Sequence, residues 1–138
     1  MRGRPFANKL TSPRQQAIIP SIEVADNGRL IVTYYDFRND VNGPAELMDH
    51  WAVFCDPAAT NCRKNKNWGN ELRLTADPFD IAQAPVAGGL FLGDYMGLVA
   101  SGNIVHPAFG VVDGPQETSI FTRPIDVTGE PVVAAAKR

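Results

Sequence analysis

Residues 19–40 read IPSIEVADNGRLIVTYYDFRND, and the fold class turns on this run. Asn27-Gly28 sits between two β-prone stretches, the strongest short-range hairpin signal a sequence carries. Residues 17–24 form the outgoing strand. Residues 29–35 (RLIVTYY), dominated by β-branched and aromatic side chains, form the return. A polar loop with Asn42-Gly43-Pro44 at its turn leads to a third strand at 49–55 (DHWAVFC). A basic turn containing Arg63, Lys64 and Lys66 then precedes a fourth strand at 71–75 (ELRLT). No stretch keeps a helical apolar period over three turns.

The second half repeats the plan. Residues 93–100 (GDYMGLVA) read as a strand, Ser101-Gly102-Asn103 as a tight turn, 104–112 as the return, 119–124 as a third strand and 131–135 as a fourth. Superposing Gly28 on Gly102 sets Leu30-Ile31 on Ile104-Val105 and Tyr35 on Phe109, an offset of 74 residues. The expectation is an all-β chain of about two four-stranded antiparallel units, 17–76 and 93–138. A linker at 77–92 joins them, and a basic segment at 1–16 is a linker or the end of a preceding unit. Two such units look like propeller blades, although a small sandwich also accommodates eight strands. Propellers close at about four to eight blades, so two alone leave two apolar faces uncovered. The chain therefore reads as part of a longer propeller, or as one that completes its ring by association.

Composition excludes several classes. Gly (12) and Pro (11) make up 23 of 138 residues, too many breakers for a helical bundle. Lys and Arg (13) nearly balance Asp and Glu (15), so no global field steers the chain to nucleic acid. The longest weakly charged stretch, 81–112, has Asp94 as its one charge, but Pro and Gly interrupt it throughout, so no membrane span is expected. The first residues carry positive charge with no apolar run behind them, so the chain as written has no signal peptide. No motif calls for a cofactor, and His50 and His106 are not at ligand spacing from the cysteines, so no metal is expected. Cys55 and Cys62 enclose six turn-rich residues. They are either two free thiols or a disulfide stabilising by at most ~2–3 kcal/mol. The bonded form implies an oxidising compartment, extracellular or periplasmic.

With the strands placed, residues 19–40 resemble a blade opening of the sialidase-like BNR/Asp-box repeat propellers. In these a Pro-Ser-Ile strand, an Asp-x-Gly turn and a strand ending in Tyr-Asp-x-Arg recur. LGDYMGLVASGNIVHPAFG (92–110) resembles the Gly-Asp-Tyr-x-Gly-Leu strand of the same superfamily. The likeness covers roughly 17–124 and implies a propeller, six-bladed when complete. The Asp-box of these propellers, Ser-x-Asp-x-Gly-x-Thr-Trp, is a folding turn in which the Asp orders backbone amides and the Trp packs beneath; it is poorly kept here, with Asp56 and Trp68 as its relics and an insertion carrying Cys62 between them.

The resemblance implies a retaining glycosidase with a Tyr nucleophile activated by a carboxylate, an Asp acid/base, and three arginines gripping a sugar carboxylate. Candidates in this chain are Asp36, Arg38, Asp94, Tyr95 and Arg123. Asp36 and Arg38 lie two apart on one face of an extended segment and either pair with each other or line a cleft. Asp94 is either bonded to backbone amides or a catalytic carboxylate, and Tyr95 is either a core aromatic or a nucleophile. Tyr95 and Asp94 are strand neighbours pointing to opposite faces, which argues against direct activation. His50 and Trp51 are candidates for stacking on a sugar, and His106 is either a packed imidazole or a ligand contact. A complete catalytic set cannot be assembled from these residues. The expected parent is a glycan-acting hydrolase, the chain alone being inactive. The alternatives are a non-catalytic propeller module for carbohydrate or protein binding, and a small β-domain that closes a ring by dimerising or trimerising. Partners follow accordingly: a glycan or glycoconjugate, and either remaining blades or further copies over the open faces.

Overall fold

The structure, a computed structural model, describes residues 16–40, 46–93 and 95–128. Within these the chain is all-β. Nine strands form two antiparallel sheets, with two short 3₁₀ turns and no α-helix. Sheet 1 runs β1 (Ala17–Val24), β2 (Leu30–Asp36), β3 (Leu47–Cys55) and β4 (Gly69–Arg73). β5 (Phe79–Asp80) pairs with β3 beyond the end of β4. Sheet 2 runs β6 (Gly97–Ser101), β7 (Ile104–Gly114) and β8 (Glu117–Thr122), and β9 (Ile125–Asp126) also pairs with β7.

Several boundaries move from those expected. Gly93, Tyr95 and Met96, ahead of β6, are not strand, because pairing begins only at Gly97 opposite Ala108. The fourth strand of sheet 2 is β9, while 131–135 lies outside the described residues. The supposed linker 77–92 is structural. It supplies β5, a 3₁₀ turn (Ile81–Gln83) in which the Ala82 amide donates to the Asp80 side chain, and a Val86–Leu90 bridge.

The two hairpins differ in their turns, and the difference orients the sheets. In β1–β2 the Ala25 amide donates to Arg29 O (2.9 Å) and the Gly28 amide to Ala25 O (2.8 Å), with Gly28 at φ 81°. This is a three-residue turn with a glycine bulge, in which Ala25 and Arg29 form the hydrogen-bonded pair. Counting in twos, Ile31, Thr33 and Tyr35 occupy the hydrogen-bonded positions facing β1. In β6–β7 a two-residue turn, Gly102 (φ 59°) and Asn103, makes Ser101 and Ile104 the hydrogen-bonded pair. There Ile104, His106 and Ala108 occupy the corresponding positions. Chirality fixes which face such residues point to, so Tyr35 corresponds to Ala108 and not to Phe109. The offset of 74 residues is one too many.

The core confirms this orientation. Ile31, Tyr35, Ala52 and Phe54 of sheet 1 pack with Val105 and Phe109 of sheet 2 in one cluster. Equivalent faces do not meet: the sheets stack in the same sense, one face of sheet 1 against the opposite type of face of sheet 2. Polar ties cross the seam. The Tyr35 phenol donates to Gly110 O (2.8 Å), Ser21 to Met96 O (3.0 Å), and Arg29 Nη1 to Val127 O (3.2 Å).

Sheet 1 is apolar on its other face as well. Tyr34, Val53, Cys55 and Trp68 form a second cluster there, flanked by Leu30 and Val32. No described segment covers the outer part of this face, and Ile22 and Val24 are 65% and 54% exposed.

Candidate functional site

The richest polar constellation sits where β2, β3 and β4 meet. Tyr34 and Asp36 share one face of β2, Arg38 follows two residues beyond the end of that strand, and β4 delivers Glu71. Arg38 Nε lies 2.7 Å from Asp36 Oδ2, Nη1 2.7 Å from Glu71 Oε2, and Nη2 3.0 Å from both Glu71 Oε1 and the Tyr34 hydroxyl. The Tyr34 phenol itself donates to Glu71. The guanidinium carbon stands 4.1 Å over the Trp51 ring, a cation–π contact. Burial disfavours the charged guanidinium, but the hydrogen-bonded Glu71 and Asp36 carboxylates outweigh it, so Arg38 is held charged beyond its ordinary range. Burial first, and then the bond to Glu71, push the Tyr34 phenol up.

A second cluster adjoins it. Asp49, the cross-strand partner of Asp36, is buried and accepts from Thr75 Oγ1 (2.6 Å) and Asn39 Nδ2 (2.7 Å), with Arg73 Nη1 at 3.8 Å. Each of the two buried carboxylates thus has its own cation and hydrogen-bond donors, as buried charge requires.

Two concavities flank these clusters. One, of about 1080 Å³, lies between the outer face of β1–β2 and the 57–63 loop, with Ile22, Val32, Tyr34 and Trp68 among its walls. Its loop is fixed by the Cys55–Cys62 disulfide (Cα–Cα 5.9 Å), by the Ala58 amide donating to Asp56 Oδ1 (2.9 Å), and by Trp68 Nε1 donating to Cys62 O (2.8 Å). The other, about 770 Å³, opens at the seam between Arg73, Phe79, Phe109, Phe121 and Arg123.

Of the expected site residues, the structure brings together Asp36, Arg38 and Trp51, the guanidinium being shared with Glu71 and Tyr34. Arg123 stands apart, its Nη1 donating to Arg73 O at 3.0 Å across the seam. Asp94 lies outside the described residues. Tyr95 is 91% exposed, which overturns its reading as a core aromatic: it precedes β6 instead of lying in it. His50 is fully buried, its ring centroid 4.2 Å from that of Tyr35 and 4.6 Å from that of Phe109, so no sugar can reach it. Burial lowers its pKa to about 3. Trp51 has one face taken by Arg38. His106 is exposed, not packed, because the alternation along β7 turns Val105, Pro107 and Phe109 inward.

Tyr34, Asp49 and Glu71 were missed. The alternation of Tyr34, Asp36 and Arg38 was a usable signal for the first. Glu71, 33 residues from Arg38, had none.

No family model matches the chain, and neither a curated protein nor a solved structure matches it. Among the described residues no helix is long and apolar enough to cross a membrane, and no cluster of metal-ligating side chains occurs.

Proposed function

We propose that this chain is a two-blade section of a sialidase-like, six-bladed β-propeller whose parent protein acts on glycans, and that the section serves as scaffold. The observation that carries this reading is the same-sense stacking of the sheets, with an apolar face of sheet 1 left open beside Tyr34 and Trp68. Successive blades pack in this manner, whereas the two sheets of a sandwich close on each other and turn their outer faces to water. Asp56 and Trp68 add support. They behave as the Asp-box likeness implies, one ordering the amide of Ala58 and the other packing beneath the disulfide loop.

The scaffold role follows from the polar groups. Each nitrogen of Arg38 already faces a carboxylate or a phenol, and Tyr95 has no described carboxylate bonded to it. The 138-residue chain is expected to leave a fluorogenic aryl sialoside uncleaved, and to bind an apolar dye at the open face of sheet 1, with Ile22→Lys weakening the dye signal. A folded chain that binds no dye overturns the two-blade reading.

One observation favours a second reading. Tyr34 donating to Glu71 beside Arg38 is the kind of tyrosine–carboxylate couple the glycosidase resemblance would require. Turnover of the sialoside, abolished by Tyr34→Phe, would put the catalytic machinery in this chain and displace the scaffold role.

A further inference from the structure

Arg73 ties together the two walls of the cleft of about 770 Å³ at the seam. Its carbonyl oxygen accepts from Arg123 Nη1 (3.0 Å), which fixes the wall belonging to sheet 2. Its own Nη2 donates to Ala76 O, which fixes the segment carrying Asp77 on the other wall. The charge of Arg73 is answered by the buried Asp49 carboxylate, 3.8 Å away. The two other ions lining the cleft are not answered. Arg123 has Nε and Nη2 left over, and the Asp77 carboxylate has no hydrogen-bond or ion-pair partner among the described residues. Asp36, Glu71 and Asp49, by contrast, each face a cation.

The rest of the lining is largely apolar. Phe79 and Phe109 contribute buried rings, and Phe121 one that is 44% exposed. The volume falls within the range of small-molecule sites, about 300–1,000 Å³. None of Tyr34, Asp36, Arg38 and Glu71 lines this cleft, so it is separate from the polar constellation on β2, β3 and β4.

We propose that the cleft binds a free aromatic amino acid, with its carboxylate on Nε and Nη2 of Arg123, its ammonium on Asp77 and its ring among Phe79, Phe109 and Phe121. A planar guanidinium offers two parallel N–H groups that match a carboxylate. Aromatic walls favour a ring, which they meet edge-on or offset. A simple anion would be repelled by Asp77 and a simple amine by Arg123, whereas a zwitterion pairs with both. A neutral sugar answers neither charge. The cleft lies wholly between the two described sheets, so this inference goes beyond the scaffold role and stands whether or not the two-blade reading does.

Isothermal titration calorimetry on the folded 138-residue chain tests it, with L-phenylalanine, phenylacetate and phenethylamine as probes. L-Phenylalanine is expected to bind saturably, one per chain. Each of the other two lacks one charge and is expected to bind about tenfold more weakly. Arg123→Gln should weaken L-phenylalanine and phenylacetate by about tenfold and leave phenethylamine no weaker. Asp77→Asn should weaken L-phenylalanine and phenethylamine and leave phenylacetate no weaker. Circular dichroism checks that each variant is folded. If Arg123→Gln does not fold, Arg123→Lys keeps the charge but loses the paired N–H groups, and the same selective weakening is expected. A folded chain that shows no saturable binding of L-phenylalanine overturns the proposal. So does phenylacetate binding as tightly as L-phenylalanine, which would make the cleft an anion site only. Weakening of all three probes alike by either variant also overturns it, because a charge that is not read selectively is not holding the ligand.

Discussion

The imidazole of His50 stacks on the ring of Phe109 with centroids 4.6 Å apart and planes 18° from parallel, so one aromatic face of each sheet closes on the other. Neither ring nitrogen of His50 has a hydrogen-bond partner among the described residues. Tyr35 covers the other side. The seam therefore holds a titratable group with nothing to stabilise its charge.

From this a pH dependence follows. The folded pKa of about 3 lies below the ordinary histidine value near 6.5, so between these limits the unfolded chain binds a proton that the folded chain refuses. Stability from this group is complete above pH 6.5 and is lost as pH falls toward 3, by about 3 kcal/mol at pH 4. Urea midpoints at pH 7 and pH 4 should differ less in His50→Leu than in the unaltered chain. An equal difference in both would remove His50 as the cause.

Arg38→Met should cost about 3 kcal/mol, because it strands the fully buried Asp36 carboxylate without its cation. The double change Asp36→Asn/Arg38→Met should cost less than the sum of the single changes. A double-mutant cycle by urea unfolding reads the coupling, and additive losses would show that the pair acts independently.

Gly110→Ala should destabilise by about 1–3 kcal/mol, since a Cβ there would meet Leu92 O at 2.9 Å and Thr118 Cγ2 at 3.2 Å. Gly89→Ala, where nothing lies within 4 Å, is the control expected to leave the urea midpoint nearly unchanged.

A thiol assay should detect no reactive cysteine in the unfolded chain until a reductant is added, and two afterwards, as the Cys55–Cys62 bond requires. Reduction should lower stability by about 2–3 kcal/mol and shift tryptophan emission to the red, because Trp68 packs beneath this loop and donates to Cys62 O.

What the sequence made legible was local. Alternation put Asp36 and Arg38 on one face, and the Asn27-Gly28 signal placed the first hairpin. The same signal did not distinguish a two-residue turn from a three-residue turn with a bulge, and that one residue decides which face of β2 corresponds to which face of β7. Glu71 completes the Arg38 cluster through strand pairing with β3, a contact set by tertiary register that no spacing in the chain announces. The exposure of Tyr95 was hidden for a related reason. GDYMGLVA has strand-like composition throughout, but β7 offers pairing partners only from Gly97 onward.

β2 illustrates a cost of building with stacked sheets. Its seven residues alternate between the seam and the opposite apolar face, and none of them is fully open to water. A strand at the surface of a sandwich can drift in sequence at every second position. β2 has no such idle positions, so a saturation scan should find it intolerant to polar replacement along its whole length, with the most exposed positions of β1 and β8 permissive beside it.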